Sequence, residues 1–170
     1  MGTFAVQLAK AFGAEVTGVC STRNVGLVQS IGADHVIDYT QEDFTRSNQR
    51  YDLLLDSVGN HSLSEFRRVL TRKGTFVLVG GGGGRWLGPA VLVLKGVLSS
   101  PFVSQRIVNY TTNPNGEDLE LLKELIEARK VTPVIDRTYV LAEASDAIRY
   151  LEQGHARGKV VVTVAEPATT

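Results

Sequence analysis

Glu15-Val-Thr-Gly-Val-Cys20, followed at once by Ser21-Thr22-Arg23, decides how this chain is read. The first six residues have the length and apolar character of a buried strand. A helical pattern from Gly2 to Phe12 comes directly before them. A helix-to-strand step inside an alternating α/β pattern points to a dinucleotide-binding fold. In that fold the carboxyl end of the second strand meets the adenosine ribose. An acidic residue there would bind a free ribose hydroxyl and repel a phosphate. Cys20 and Ser21 stand at that place, with Thr22 and Arg23 beside them. Hydroxyls and a guanidinium suit a 2′-phosphate, so the expected cofactor is NADP(H) rather than NAD(H).

Outward from this stretch the helix and strand patterns keep alternating. Phe4, Leu8, Ala11 and Phe12 share a helical face that Gly13 ends. Val25, Val28 and Ile31 mark a second helix, closed by Gly32. His35–Tyr39 and Tyr51–Ser57 are predicted strands, the second a nearly continuous apolar run that suits cover on both faces. Leu63, Phe66, Val69 and Leu70 lie on a third helix, with Asn60 as its expected cap. Thr75–Val79 is a further strand, and the glycines Gly80–Gly84 follow it. The stretch 85–100 is expected to be helical after Pro89, with Pro101 limiting it. A strand is predicted over Gln105–Tyr110 and an amphipathic helix over Glu117–Lys130. Then the rhythm changes. Val131–Leu141 is extended, Ala142–Gln153 helical, and Lys159–Val164 a last strand. A domain boundary is placed near Lys130, giving 1–130 and 131–170.

Composition narrows the function. With 170 residues, 43% of them apolar, and zero formal net charge, the chain reads as an ordinary globular protein. No basic run suggests nucleic acid or an anionic membrane as the main partner. No apolar stretch reaches the roughly 20 residues of a membrane span, and no signal-peptide pattern is read at the start. One cysteine allows no internal disulfide, which fits a reducing cytoplasm. Cys20 itself reads as a packed strand residue. His35, His61 and His155 do not cluster, so no zinc site is expected. Gly154-His-Ala-Arg-Gly-Lys159 is not a phosphate-binding P-loop, because its spacing is short and no hydroxyl residue follows the lysine.

Five blocks, taken in order, carry a family resemblance. They are 2–24 (GTFAVQLAKAFGAEVTGVCSTRN), 31–39 (IGADHVIDY), 51–60 (YDLLLDSVGN), 74–83 (GTFVLVGGGG) and 133–164 (PVIDRTYVLAEASDAIRYLEQGHARGKVVVTV). Together they resemble the medium-chain dehydrogenase/reductase superfamily, and within it the zinc-independent NADPH quinone oxidoreductases. The resemblance implies an N-terminally truncated chain: a Rossmann-like, doubly wound parallel sheet lacking its first strand, plus a C-terminal remnant of a GroES-like catalytic domain over 131–170. Gly2 would be the last glycine of the usual turn. Loss of a central strand would leave two open edges, which favours a homo-oligomer.

Site candidates follow from position and from the resemblance. Gly2 and Thr3 open a helix, where free N–H groups favour a phosphate, with a frayed chain start as the other reading. Ser21, Thr22 and Arg23 are the 2′-phosphate set, although Ser21 or Thr22 can equally cap a helix. The resemblance adds Tyr39 to that phosphate, and strand packing is its other reading. Ser57, Val58 and Gly59 form a strand-to-helix turn at the ligand edge of an open sheet, where Asp56 can equally serve the turn itself. The resemblance places Gly80 and Gly81 under the nicotinamide side, with a surface loop as their other reading, and Gly158-Lys159 close to the cofactor, with a salt-bridged lysine at the strand start as the other. Asn109 is placed near the nicotinamide by its position after the last strand of the nucleotide domain. No catalytic residue is assigned.

The expected function is hydride transfer between NADP(H) and a small quinone, enone or carbonyl substrate, with the isolated chain inactive. A zinc-dependent alcohol dehydrogenase and a non-catalytic nucleotide-binding or interaction module are the alternatives.

Overall fold

The structure is a computed structural model and describes residues 1–79, 104–109 and 114–164. The expected helix at 85–100, Gly80 and Gly81 with the rest of the glycine run, and Tyr110 lie outside the described residues. In chain order the elements are α1 (Gly2–Ala11), β1 (Thr17–Cys20), α2 (Val25–Ser30), β2 (His35–Asp38), β3 (Tyr51–Asp56), α3 (Leu63–Val69), β4 (Leu70–Leu78), β5 (Arg106–Asn109), α4 (Gly116–Glu127), β6 (Ile135–Val140), α5 (Ala144–Glu152) and β7 (Lys159–Thr163). The architecture is mixed α/β, and β3–β4, β4–β5 and β6–β7 pair in parallel. By contacts the chain forms two compact units, 1–37 with 117–170, and 38–116.

In the first unit α1 ends as its sequence asks. Gly13 follows it with φ +82°, a conformation that suits glycine. β1 begins at Thr17, two residues later than expected. Val16 is already committed elsewhere: its N–H donates to Asp34 Oδ2 at 2.7 Å, and its carbonyl accepts from the N–H groups of Asp34 and His35. Asp34 also takes the Lys10 ammonium at 2.8 Å, which with the Val16 N–H holds its carboxyl below the ordinary range. One carboxylate thus ties the end of α1 to the starts of β1 and β2, which form a two-stranded sheet. Gly18 lets α2 lie close on β1, because a Cβ there would collide with Val28. Across the sequence, Gln7 Nε2 donates to the Thr132 carbonyl at 3.0 Å, and the Thr132 N–H donates to Gln7 Oε1 at 2.7 Å.

The C-terminal part of this unit is a β6–α5–β7 crossover. A short 3-10 turn over Leu141–Glu143 precedes α5, so the α-helix starts later than the expected Ala142. Gly158 cannot carry a side chain, since its Cβ would run into the Val134 carbonyl. That carbonyl accepts the Lys159 N–H at 2.7 Å. Asp136, on β6, accepts from the Tyr150 hydroxyl at 2.7 Å and from the Arg157 N–H at 3.0 Å. Both bonds favour the ionised form, Tyr150 first, and hold the Asp136 carboxyl below its usual 3.8.

In the second unit the strand order is β3-β4-β5. Leu63, Phe66, Leu70, Phe76 and Leu78 form its core, with Phe44, Leu54 and Ile107 packed against them. Phe66 stacks on Phe76 at 4.5 Å between ring centroids. Two expectations change here. The cap of α3 is Ser62, not Asn60: the Glu65 N–H donates to Ser62 Oγ at 3.3 Å, and Glu65 Oε2 accepts the Ser62 N–H at 2.7 Å. This reciprocal box satisfies two helix-end donors at once, which a residue two places earlier cannot do. Leu70 leaves the helix for β4, and the Gln105 amide closes the helix end by donating to the carbonyls of Arg67 and Thr71 at 3.0 and 3.1 Å. The apolar run of β3 also differs from expectation. As an edge strand among the described residues, β3 leaves Leu53 61% and Leu55 46% exposed, while Leu54 faces the core.

Two outcomes follow. Ser62→Ala should cost about 1 kcal/mol in urea unfolding, whereas Asn60→Ala should change stability by only a few tenths. The ionised Asp136 stabilises the fold above the unfolded-state pKa, and this contribution is lost as pH falls through its lowered folded value. The gap in unfolding midpoint between the parent chain and Asp136→Asn should therefore hold from about pH 7 to about pH 5 and narrow below about pH 4.

Candidate cofactor site

Ser21 follows β1 with an extended backbone (φ −81°, ψ 158°) and stands at the cap position of a 3-10 turn over Thr22–Asn24. Its hydroxyl does not bond the turn's backbone. It lies 3.2 Å from Asn24 Nδ2, which donates to it. Ser21 is half-buried, and Thr22 and Arg23 are exposed. Arg23 Nη2 donates to the His155 carbonyl at 3.3 Å.

Arg157, which sequence reading did not single out, reaches the same turn. Its Nε donates to Asn24 Oδ1 at 2.9 Å and its Nη2 to the Arg23 carbonyl at 3.0 Å. The two partners are 133 and 134 positions away in sequence. The local signal is its place in the GHARGK block, directly before Gly158 and Lys159.

Gly2 and Thr3 form the first turn of α1, where backbone N–H groups lack intrahelical acceptors. Gly2 has open space beside it. Lys159, at the start of β7, brings its ammonium to 5.2 Å from the Phe4 ring centroid in that same turn. A helix N-terminus and a lysine thus stand together, an arrangement that can receive a phosphate.

The other candidates lie in the second unit. Tyr39 follows β2 in a turn and is 60% exposed; the neighbouring Asp38 carboxylate accepts the Thr40 N–H at 2.9 Å. Ser57, Val58 and Gly59 follow β3. Asp56 Oδ1 accepts the Val58 N–H at 2.9 Å, and Oδ2 the Gly59 N–H at 3.0 Å. Gly59 takes φ +74° there. The loop amides at 58 and 59 therefore serve the turn through Asp56. The parallel register sets Asp56, Leu78 and Asn109 in one row, so the ends of β3, β4 and β5 share one carboxyl edge. That edge is where open parallel sheets bind ligands. Gly80 and Gly81 lie outside the described residues.

No group of three His, Cys, Asp or Glu residues able to hold a metal exists among the described residues. His35 pairs with Glu15 at 3.0 Å, and His61 lies 3.9 Å from Glu65 and edge-on to Phe44. No helix among the described residues is long and apolar enough to cross a membrane.

A family model described as zinc-binding dehydrogenase matches residues 31–162. The mitochondrial NAD(P)H oxidoreductase RTN4IP1 of Danio rerio is 34% identical over 194 residues, covering 98% of this chain and 47% of that protein. The chloroplastic NADPH-dependent alkenal/one oxidoreductase of Arabidopsis thaliana is 34% identical, covering 95% and 37%. Among solved structures, the quinone oxidoreductase from Coxiella burnetii superposes with a TM-score of 0.77 at 31% identity, covering 96% of this chain and 49% of that one. The chain spans about half the length or less of the curated relatives it matches. Block order, parallel α/β architecture and these matches agree: the chain belongs to the zinc-binding dehydrogenase family of the medium-chain dehydrogenase/reductase superfamily.

Proposed function

We propose that the chain is the cofactor-binding part of an NADP(H)-dependent oxidoreductase acting on a small quinone, enone or carbonyl compound. The observation that carries this is the end of β1, where Ser21, Thr22 and Arg23 offer hydroxyls and a guanidinium and no carboxylate. Those donors match a dianionic 2′-phosphate and leave a bare ribose without an acidic partner. Gly2, Thr3 and Lys159 would take the cofactor's other phosphates at the start of α1. Ser57, Val58, Gly59 and Asn109 line the carboxyl edge that the adenosine and nicotinamide sides would follow. Gly80 and Gly81 are assigned to the nicotinamide side by the family resemblance, and Tyr39 to the 2′-phosphate.

When bound, the nicotinamide supplies a hydride from C4. The protein's part is to orient that group and to keep the phosphates paired. Residues 1–130 form the nucleotide-binding portion in this reading, and 131–170 a piece of the catalytic domain. The chain alone is then inactive. A homo-oligomer in a reducing compartment such as the cytoplasm completes the proposal, supported by the β3 edge, which has no second strand partner among the described residues, and by the single cysteine. The described residues do not fit a zinc ion, so no step is assigned to one. A zinc-dependent enzyme whose ligands lie elsewhere is the second reading, favoured by the description of the matched family.

Titration with NADPH and NADH tests the proposal. The parent chain should bind NADPH more tightly. Arg23→Ala should weaken NADPH by about 1.5–3 kcal/mol, the worth of a charge-assisted bond, and leave NADH nearly unchanged. Equal affinities for the two nucleotides, or binding of neither, would overturn it.

A further inference from the structure

We propose that Arg157 is a positioning residue for the 2′-phosphate end of the site: it locks the Ser21–Asn24 turn in the form that presents Ser21 and Arg23 to an anion. The inference rests on the reading of Ser21–Arg23 as the phosphate contacts and assigns a role to a residue outside that set.

The chemistry lies in Asn24. A carboxamide has one end that accepts and one that donates. Arg157 Nε is a pure donor, so the atom it meets at 2.9 Å must be the Asn24 oxygen. That fixes the amide, and its nitrogen then faces Ser21 Oγ at 3.2 Å and donates to it. A serine hydroxyl that accepts such a bond keeps its own O–H for another acceptor. A phosphate oxygen needs such a donor. With the amide turned over, Asn24 Oδ1 would face Ser21 and claim that proton.

The same guanidinium holds the Arg23 carbonyl at 3.0 Å, so one rigid fork grips two consecutive residues. Arg157 is itself fixed: its N–H donates to Asp136 Oδ2 at 3.0 Å, the oxygen that also accepts the Tyr150 hydroxyl. The neighbouring His155 carbonyl takes Arg23 Nη2 at 3.3 Å. The segment before β7 therefore sets both the backbone and the side chain at position 23.

Calorimetric titration of the 170-residue chain with 2′,5′-ADP and 5′-AMP isolates the 2′-phosphate. The parent chain should prefer 2′,5′-ADP. Arg157→Ala should reduce that preference about tenfold, with 5′-AMP affinity unchanged, as loss of a charge-assisted bond would. Asn24→Ala should give a similar loss, and the double variant no more than either alone. Arg157→Lys should recover only part, since a point donor cannot span both acceptors. Fully additive losses would make Arg157 an independent phosphate ligand and overturn the positioning role, as would an unchanged preference in Arg157→Ala. If Arg157→Ala does not fold, Asn24→Ala decides: an unchanged preference there overturns the role. Arg23→Ala separates the two readings. If it abolishes the preference while Arg157→Ala does not, only the present inference falls. If the parent chain shows no preference, both fall.

Discussion

The pairing of the Gln7 carboxamide with the backbone of Thr132 is the constraint on which the first unit depends. The side chain donates to the Thr132 carbonyl and accepts from its N–H, so it reads the chain as a neighbouring strand would. A carboxamide offers both functions side by side in one plane. Gln7 is buried, so its polar ends need partners that water does not supply. The bond joins residues 125 positions apart. Once it forms, α1 lies beside the segment leading into β6, and Phe4 meets Lys159. The cofactor reading of the first turn of α1 relies on this placement, because that turn gains its nearby cation from β7.

Local chemistry was legible in the sequence. Gly13 ends α1, Ser21–Arg23 follow β1, and Lys159 starts a strand, all as their neighbours dictate. Near misses also had local causes. Asn60 and Ser62 are both good caps, and only Ser62 has a glutamate three places on to complete the box. Glu15 and Val16 have strand-like character, yet the Asp34 turn takes Val16's hydrogen bonds first. The run Leu53–Leu55 shows where residue type stops being informative. Its apolarity is the same whether one face or two are covered, and the partners that decide lie outside the run.

What was not legible depends on partners far away in the chain. Arg157 looks like any exposed arginine in a glycine-flanked loop. Its role emerges only when the fold brings Asn24 and the Arg23 carbonyl to it. Gln105 is similar: nothing in its neighbourhood announces that its amide will close the end of α3. Such residues are polar, long and flexible, the types that sequence patterns assign to surface by default. Burial periodicity cannot find them, because their contribution is orientation and not area.

The two kinds of contact do different work at the candidate site. The parallel register fixes where β3, β4 and β5 end, so Asp56, Leu78 and Asn109 share a row with no side-chain chemistry required. Register alone cannot decide which donors are available at that edge. Asp56 takes the Val58 and Gly59 amides for its own turn and withdraws them from any ligand. At β1 the balance is opposite. Asn24 donates to Ser21 and so leaves the serine proton to spare. A carboxylate after a strand consumes donors, and a correctly oriented carboxamide releases one. Of the two strand ends, the one after β1 is therefore the better equipped to meet an anion.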